Sequence, residues 1–410
     1  MSFKVEQVRE RFPALKRTYK DKSVTYFDGP GGTQFLDSAV ESVCGYMSGG
    51  AANLGGSFPT SHETEKLITK ARDDVKLLFN ASSHEVAFGP NATTMMFHVS
   101  RAISKEWEEG DEIILSELEH HSNIDSWLSA AMDKKVSVKY IPLDIQTLTL
   151  DLSVLPSLIT AKTKLIAVGA ASNCIGTITD IKYISRLIKD TEILLVVDAV
   201  HAIPHSYVDM EDLEIDMLFS SAYKFFAAHV GMAVIRKDLF ENLSVYKVSP
   251  ASDAVPNRLE IGTQNHEGIP SVSASVEFLA SLGEGNSLKE QIISAYKALE
   301  EYENGLADYI RAEMVKIKGI KLYQAGETVP KTPTIAFRAD GISPKEFCIR
   351  MCEEHSVFIA SGDFYAMTLA EKLGIRDSGS FIRAGLAPYN TTEEANRFLD
   401  GVRAIMDSLV

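Results

Sequence analysis

Cysteine is scarce in this sequence, with four residues in a chain of 410: Cys44, Cys174, Cys348 and Cys352. None of them forms a Cys-x-x-Cys pair, so neither a disulfide framework nor a zinc ribbon is indicated. Cys348 and Cys352 are spaced as neighbours on one helix face, but two ligands alone make a weak metal site. This usage predicts a reduced, cytoplasmic protein.

Positive charge and long apolar runs are also lacking. The formal net charge is −15, which argues against nucleic acid or an anionic membrane as the main partner, because both need a basic face. The most apolar run, "EILLVVDAVHAI", is interrupted by Asp198 well short of the roughly 20 residues that a membrane span needs. The charged stretch "MSFKVEQVRERF" at the N-terminus predicts no signal peptide. We therefore expect no nucleic-acid partner and no membrane partner.

Several common catalytic motifs are absent as well. There is no GxxxxGK[ST], no GxGxxG follows the first strand, and "GPGG" at 29–32 lacks the spacing that either motif needs. No GxSxG is present, which argues against an α/β-hydrolase. The histidines that could supply a zinc site match no common ligand spacing; they are His120, His121, His201 and His205. The sequence thus predicts no nucleotide site and no metal site.

Strand-like apolar runs alternate with helical patterns from about residue 65 to 235. The seven runs lie at 85–90, 111–120, 136–144, 164–173, 192–201, 216–224 and 231–238. Such alternation, with continuous apolar runs, is typical of a mostly parallel sheet covered on both faces by helices. The connection before the last run is short, which allows that strand to be antiparallel. The pattern predicts an α/β fold with a seven-stranded sheet.

The C-terminal part of the chain has a different pattern. A long helical stretch at roughly 273–317 is followed by short strands, such as "TPTIAFRAD" and "SFIRAGLA", mixed with helices. This mixture predicts a small α+β domain. We place the large domain at residues 15–275, and the small domain at residues 1–14 and 276–410.

Polar side chains with useful chemistry follow five of the apolar runs. In an open α/β sheet, ligands bind beyond the carboxyl ends of the strands. The residues at those ends are Thr93 and Thr94, Glu119 with His120 and His121, Asn173, Asp198 with His201, and Ser221 with Tyr223 and Lys224. Each one alone has a structural explanation, such as a helix cap, a turn or an ion pair. Their shared placement favours a common site.

Pyridoxal 5'-phosphate (PLP) requires a set of groups that these residues can supply. Lys224 offers an amine, and its apolar neighbours favour the neutral form that attacks a carbonyl. Asp198 offers an acid for the pyridine nitrogen. The hydroxyls of Thr93 and Thr94 at a helix start suit a phosphate dianion, and His120 can stack on the cofactor ring. The set predicts a PLP site.

Six motifs in order resemble those of the class V aminotransferase superfamily, which comprises fold type I PLP enzymes. They are "EHHSNIDSW", "SNCIGT", "VVDAVHAIPH", "FSSAYK", "EIGTQNHEG" and "FIRAGLAPYNTTEE". The cysteine desulfurase and selenocysteine lyase branch is the most similar, and the likeness extends from about residue 24 to the C-terminus. It implies a PLP-dependent enzyme acting on a small amino-acid substrate.

The resemblance also implies roles for individual residues. Lys224 matches the lysine that forms the Schiff base and then moves the Cα proton, and Arg383 matches the arginine that pairs with the substrate carboxylate. Thr263 matches a threonine that reaches the phosphate in the neighbouring subunit, which implies a homodimer with shared active sites. The other matches are Asp198 at the pyridine nitrogen, His120 on the ring, Asn173 beside the ring and at the substrate, and Thr93, Thr94 and Ser221 at the phosphate.

Three positions depart from the desulfurase pattern. Tyr223 replaces a histidine but can still donate a hydrogen bond to phosphate. His201 replaces a glutamine and would lie near the phenolic oxygen of the cofactor, where its ionisation can tune the Schiff base. Tyr365, in "SGDFYAMTL", stands where desulfurases carry the nucleophilic cysteine of "TGHHCAMPL". A phenol cannot accept a sulfur atom as a persulfide.

These departures predict a lyase that acts at Cα and Cβ, by β-elimination or carbon–sulfur cleavage, without a persulfide cysteine. Tyr365 would serve as an acid on the face opposite Lys224, or only anchor its loop. The alternatives are a true cysteine desulfurase or selenocysteine lyase, an aminotransferase, an epimerase, and a protein of this fold that serves only as a binding or assembly module.

Overall fold

The apolar runs form the strands of a central sheet in the computed structural model of the protein, which describes residues 3–409. Met1, Ser2 and Val410, which the domain prediction assigns to the small domain, lie outside the described residues. The strands of all the sheets among residues 3–409 are β1 (Thr18–Tyr19), β2 (Lys22–Ser23), β3 (Thr25–Tyr26), β4 (Val86–Gly89), β5 (Glu112–Ser116), β6 (Ser137–Ile141), β7 (Leu143–Asp144), β8 (Thr149–Leu150), β9 (Thr163–Gly169), β10 (Leu194–Asp198), β11 (Met217–Ser221), β12 (Gly231–Ile235), β13 (Ile320–Tyr323), β14 (Thr334–Ala339), β15 (Val357–Phe358), β16 (Ala360–Gly362) and β17 (Phe381–Gly385).

Helices cover the sheet and connect its strands. They are α1 (Val5–Glu10), α2 (Asp37–Gly49), α3 (Pro59–Val75), α4 (Ala92–Ile103), α5 (Ser122–Lys134), α6 (Leu155–Leu158), α7 (Ile181–Ile188), α8 (Lys237–Asn242), α9 (Ile269–Ser281), α10 (Leu288–Met314), α11 (Pro344–His355), α12 (Met367–Lys372) and α13 (Thr392–Asp407). Among residues 3–409, none of the helices combines the length and the apolar character needed to cross a membrane.

The central sheet has seven strands in the order β4-β12-β11-β10-β9-β5-β6. The pairs from β11 to β6 are parallel, whereas β12 is antiparallel to both β11 and β4. A short connection between Ser221 and Gly231 cannot carry a crossover, so β12 reverses direction. The structure confirms the predicted α/β class and the mostly parallel seven-stranded sheet.

Both faces of this sheet are buried. Successive residues of one strand belong to different apolar clusters: Ile114 and Val197 pack on one side, and Ile113 and Val196 pack on the other. Strands with two covered faces need continuous apolar runs rather than alternation. This requirement explains the continuous apolar runs of the sequence.

A second sheet has four antiparallel strands in the order β13-β14-β17-β16. It packs with α11 and α13 around a third apolar cluster, which also contains Phe27. Strand β3 pairs in parallel with β15, so the N-terminal segment contacts this part of the chain. The boundaries proposed for the two domains stay a prediction.

The predicted helical stretch at 273–317 forms two helices, α9 and α10, rather than one. The segment from Gly283 to Ser287 separates them. A Cβ at Gly283 would lie 2.0 Å from the Gln291 carbonyl oxygen, and the Ser287 side chain caps α10 by accepting from the Glu290 N–H. Close packing and a cap residue therefore end one helix and begin the next.

Candidate active site

A cavity of about 280 Å³ lies where the carboxyl ends of the parallel strands meet. It gathers ten of the twelve predicted site residues: Thr93, His120, Asn173, Asp198, His201, Ser221, Tyr223, Lys224, Tyr365 and Arg383. The parallel direction of β5, β9, β10 and β11 brings their ends to one edge of the sheet. Thr94 and Thr263 do not line the cavity.

Lys224 lies in a short 3₁₀ helix, Ala222–Phe225, directly after β11. Its Nζ donates to the carbonyl oxygens of Pro30 and Gly31, and the residue is 9% exposed. Burial and the positive charge of Arg383 lower the pKa of Lys224 to about 8. A substantial fraction of the amine is therefore neutral, and nucleophilic, near neutral pH.

Asp198 is the last residue of β10, on the strand next to the one that precedes Lys224. Its Oδ1 accepts from the Val200 N–H at 2.9 Å. Burial raises the pKa of Asp198 to about 6, although the Val200 hydrogen bond and the charge of Lys224 oppose this change. A cationic group beside this carboxylate would be strongly stabilised.

His120 follows β5 and turns its ring into the cavity. Its Nδ1 accepts from the Ser122 N–H at 3.1 Å and lies 2.7 Å from the Ser122 hydroxyl. Burial, assisted by the charge of Lys224, lowers the pKa of His120 to about 4. The ring is therefore neutral, with its proton on Nε2, and suits stacking on another ring.

Glu119, which the sequence placed at a strand end without assigning it a role, also lines the cavity. Its carboxylate accepts from the Ser116 hydroxyl, from the Asn123 amide at 2.8 Å and from the Gly169 N–H at 2.7 Å. Burial raises the pKa of Glu119 to about 7. These bonds tie the turn that carries His120 to β9. The feature of the sequence that indicates its presence at the site is its position directly before His120 in "EHHSN".

The N-terminus of α4 opens onto the cavity between Thr93 and Ser221. Asn91 caps the helix, since its side chain accepts from the Thr94 N–H at 2.8 Å, and the Ser221 hydroxyl accepts from the Ala92 N–H at 3.2 Å. Thr93 is exposed and lines the cavity, whereas Thr94 lies one residue further along the helix. A helix N-terminus with hydroxyl groups can bind a phosphate.

Arg383 on β17 reaches the same cavity from the second sheet. Its Nη2 donates to Asp28 Oδ1 at 3.0 Å, and its Nη1 donates to the Asn173 carbonyl oxygen at 3.0 Å. The ring centroid of Phe364 lies 3.7 Å from the guanidinium carbon. Sequence reasoning missed Phe364 and Asp28, because nothing in the local pattern connects residues so distant in the chain.

Tyr365 belongs to the loop after β16 and is 71% exposed. Its ring centroid lies 5.1 Å from that of His120, and its carbonyl oxygen accepts from the His121 N–H at 2.8 Å. The loop therefore covers the cavity on the side of His120. The correspondence of Tyr365 with the cysteine of desulfurases, and its role as an acid, stay predictions.

Tyr223 and His201, two positions predicted to depart from the desulfurase pattern, line two sides of the cavity. The Tyr223 ring stacks on His229 with centroids 4.7 Å apart. His201 is buried, and its Nε2 lies 3.0 Å from the Thr332 hydroxyl and 3.1 Å from the Thr334 hydroxyl. Burial lowers the pKa of His201 well below its usual value. His201 is therefore a neutral ring held by the C-terminal part of the chain.

The cysteines lie outside the cavity lining. Cys174 is fully buried in an apolar cluster, and burial raises its thiol pKa to about 12. Burial likewise raises the pKa of Cys348 to about 12. These thiols stay protonated at neutral pH and are poor nucleophiles.

A larger cavity of about 700 Å³ lies at the opposite edge of the sheet, among residues such as Glu85, Lys189, Glu214 and Arg236. It lacks the buried amine, the helix N-terminus and the aromatic rings of the smaller cavity. The smaller cavity is therefore the candidate active site. Within residues 3–409, no group of three or more His, Cys, Asp or Glu side chains comes together as metal ligands would.

The residues around the smaller cavity fit PLP. A buried amine of lowered pKa, a buried carboxylate, a neutral imidazole and a helix N-terminus with hydroxyls are the groups that its aldehyde, pyridine nitrogen, ring and phosphate require. The site is thus that of a PLP-dependent enzyme.

The chain belongs to the class-V aminotransferase family, whose family model matches residues 25–398. A cysteine desulfurase of Serratia proteamaculans is 27% identical over 425 residues, and the alignment covers 100% of both chains. An aminotransferase-like protein of Gibberella zeae is 28% identical, with 99% of each chain covered. The crystal structure of the cysteine desulfurase CsdA from Escherichia coli has a TM-score of 0.86 at 24% identity and full coverage of both chains. The last comparison shows the shared fold.

Proposed function

We propose that the protein is a lyase that removes the Cα proton of a small α-amino acid and expels its β-substituent without forming a cysteine persulfide. One observation carries the proposal: the cavity joins Lys224, Asp198 and Arg383, yet none of the cysteines among residues 3–409 lines it. By the family resemblance, Tyr365 would stand at the loop position of the missing thiol.

Each residue has a defined task in this proposal. Arg383 binds the substrate carboxylate, Lys224 Nζ takes the Cα proton, and Asp198 holds a proton at the pyridine nitrogen. PLP, when bound, would supply an electron sink for the pair released at Cα. His120, neutral and buried, fixes the ring plane, and the α4 N-terminus with Thr93 and Ser221 binds the phosphate.

The elimination balances without an oxidant or reductant. The Cα proton moves to Lys224, and the β-substituent leaves with the electron pair of its bond to Cβ. For a sulfur substituent the leaving group is sulfide or a thiolate, and hydrolysis of the remaining three-carbon fragment gives pyruvate and ammonia.

The relatives named cysteine desulfurase favour the second candidate, a true cysteine desulfurase or selenocysteine lyase. That reaction leaves alanine, because sulfur or selenium is removed from Cβ and Cβ is then protonated. The thiols of Cys174 and Cys348 argue against a persulfide route, since desolvation raises the pKa of both. An aminotransferase would release a keto acid without ammonia, and an epimerase would change only the optical rotation.

A product screen tests the proposal on the PLP-loaded enzyme. Small α-amino acids, including L-cysteine, are incubated with the protein, and keto acid, ammonia, sulfide, alanine and optical rotation are measured together. We expect keto acid and ammonia in equal amounts, and sulfide from cysteine. Alanine with sulfide or persulfide would overturn the lyase proposal in favour of desulfuration.

The Lys224→Ala variant is the control for that screen. It removes the base and the covalent attachment point, so every activity should vanish, while the protein still folds because alanine leaves the short helix intact. An activity that survives in this variant would contradict the assigned site. A wild-type protein without a visible absorption band that borohydride abolishes would instead indicate a binding or assembly module.

We also propose a homodimer with shared active sites. Thr263 is exposed and lies outside the cavity of its own chain, as expected of a residue that serves a neighbouring subunit. Among residues 3–409, half of the exposed large apolar side chains lie in two segments, 35–58 and 246–261; they are Phe35, Val40, Met47, Leu54, Phe58, Tyr246, Val248 and Ile261. Apolar surface of this kind is typical of an interface.

A further inference from the structure

The guanidinium of Arg383 is buried but not fully paired. The residue is 3% exposed, and its two terminal nitrogens donate to Asp28 and to the Asn173 carbonyl. Its Nε is buried without a hydrogen-bond partner. A buried donor of this kind calls for an acceptor, and a ligand carboxylate in the cavity would supply one.

The ring of Phe364 covers one face of this guanidinium at 3.7 Å. All N–H bonds of a guanidinium lie in its plane, so a ring on the face leaves the edge open for a carboxylate. The ring also keeps water from the cation and holds the orientation of its plane. Both effects strengthen an ion pair made at the edge.

Phe364 also contacts the neighbouring polar residue of the cavity. Its carbonyl oxygen accepts from Asn173 Nδ2 at 2.8 Å, which leaves Asn173 Oδ1 buried and without a partner. The cavity thus contains an unused donor on Arg383 and an unused acceptor on Asn173. An α-amino acid has the complementary pair, a carboxylate and an amino group.

The backbone of this loop is held in an unfavourable conformation. Phe364 and Tyr365 have φ angles of 54° and 60°, in the left-handed region that non-glycine residues rarely adopt. Hydrogen bonds from the His121 N–H to the Tyr365 carbonyl and from the Tyr365 N–H to Asp363 maintain it. Strain that surrounding contacts maintain is often associated with function.

We propose that Phe364 is a positioning residue that creates the preference of this site for ligands with an α-carboxylate. It acts through Arg383, by covering its face, and through Asn173, by orienting its amide. The inference rests on the proposed role of Arg383 as the carboxylate-binding residue, but it does not depend on which reaction follows.

Two carbonyl reagents test this inference on the PLP-loaded protein. Aminooxyacetate and methoxyamine both condense with aldehydes, but only the first carries a carboxylate. The rate at which each reagent changes the visible absorption band is measured by stopped flow. The rate with aminooxyacetate is divided by the rate with methoxyamine, and this ratio is divided by the same ratio for free PLP. The result reports carboxylate recognition without any knowledge of the natural substrate.

We expect a ratio well above one for the wild type and close to one for Arg383→Met. Phe364→Leu should lower the wild-type ratio about tenfold, the size expected for loss of a dehydrated cation–π contact. Phe364→Tyr keeps the ring and should keep the ratio, which separates the ring from general disturbance of the loop.

Different results overturn different claims. A wild-type ratio near one would contradict the role of Arg383, and with it the proposed function. A high wild-type ratio that Arg383→Met abolishes but Phe364→Leu preserves would overturn only the inference about Phe364. If Phe364→Leu accelerated both reagents equally, the ring would be a barrier to entry, and the inference would again fail.

Discussion

Lys224 shows how a buried position changes the chemistry of one side chain. An exposed lysine has a pKa of about 10.4, whereas burial and the charge of Arg383 lower the pKa of Lys224 to about 8. The amine is the reactive form, so the shift raises its neutral fraction at physiological pH by orders of magnitude. The apolar neighbours in "SSAYKFFAAHVG" indicated this direction, and the structure adds the contribution of Arg383.

The rate of covalent PLP attachment to the cofactor-free protein should follow this ionisation. A lowered pKa means that the neutral amine appears at lower pH, so we expect the rate to rise about tenfold per unit below pH 8 and to level off above it. Borohydride trapping followed by mass spectrometry measures the rate. Arg383→Met removes a positive charge and should move the midpoint of the rate profile to higher pH.

Nα-acetyl-lysine in solution is the control for this profile. Its rate should keep rising until about pH 10, because its amine is fully solvated. A protein profile that matches the control would show that Lys224 is not perturbed by its surroundings.

At the scale of secondary structure, the segment between α9 and α10 shows what helical periodicity leaves undetermined. Apolar residues recur with helical spacing on both sides of Gly283, so the pattern alone predicts one helix. The helix is interrupted because Gly283 lies close to Gln291 and Ala295. Such contacts depend on packing that no local pattern encodes.

Two glycine substitutions near this break should have opposite effects on the free energy of unfolding. Gly283→Ala places a Cβ 2.0 Å from the Gln291 carbonyl oxygen and should destabilise the protein by about 1–3 kcal/mol. Gly305→Ala, inside α10, where the new Cβ would meet nothing within 4 Å apart from its chain neighbours and the backbone of the helix itself, should stabilise it by about 0.5–1 kcal/mol.

Denaturant unfolding followed by circular dichroism measures both changes. Because Gly305 and Gly283 receive the same substitution, the pair separates steric conflict from the general effect of alanine. Equal stabilisation of both variants would contradict the close packing at Gly283.

At the scale of the whole molecule, the exposed apolar segments and Thr263 lead to the proposed homodimer. Met47 in α2 is 66% exposed, and a charge there should prevent association. Met132 in α5 is 71% exposed but lies outside the two apolar segments. The two methionines therefore form a matched pair.

Light scattering after size-exclusion chromatography should give a dimer for the wild type and for Met132→Glu, and a monomer for Met47→Glu. Since Thr263 serves the other subunit in this proposal, the Met47→Glu monomer should also bind PLP more weakly. A dimeric Met47→Glu protein, or a monomeric wild type, would contradict the proposed interface.

Much of the fold and of the candidate site could be predicted from the sequence, for identifiable reasons. Strands buried on both faces need continuous apolar runs, and parallel strands bring their carboxyl ends together, so Asp198 and Lys224 could be expected to lie close to each other. His120 could be expected at the same edge of the sheet, and the family motifs extended the site to Arg383. The short connection between β11 and β12 likewise allowed the antiparallel direction of β12 to be expected.

Other features of the molecule were decided only by its tertiary structure. The burial of Cys174, the contacts of Glu119 under the turn of His120, and the position of Phe364 on Arg383 depend on how distant segments pack. Apolar patterning and strand direction act over neighbouring residues and determine the α/β sheet and its ligand-binding edge. Dehydration of a guanidinium by a ring from another loop arises only once the chain has folded, because no spacing in the sequence encodes that contact.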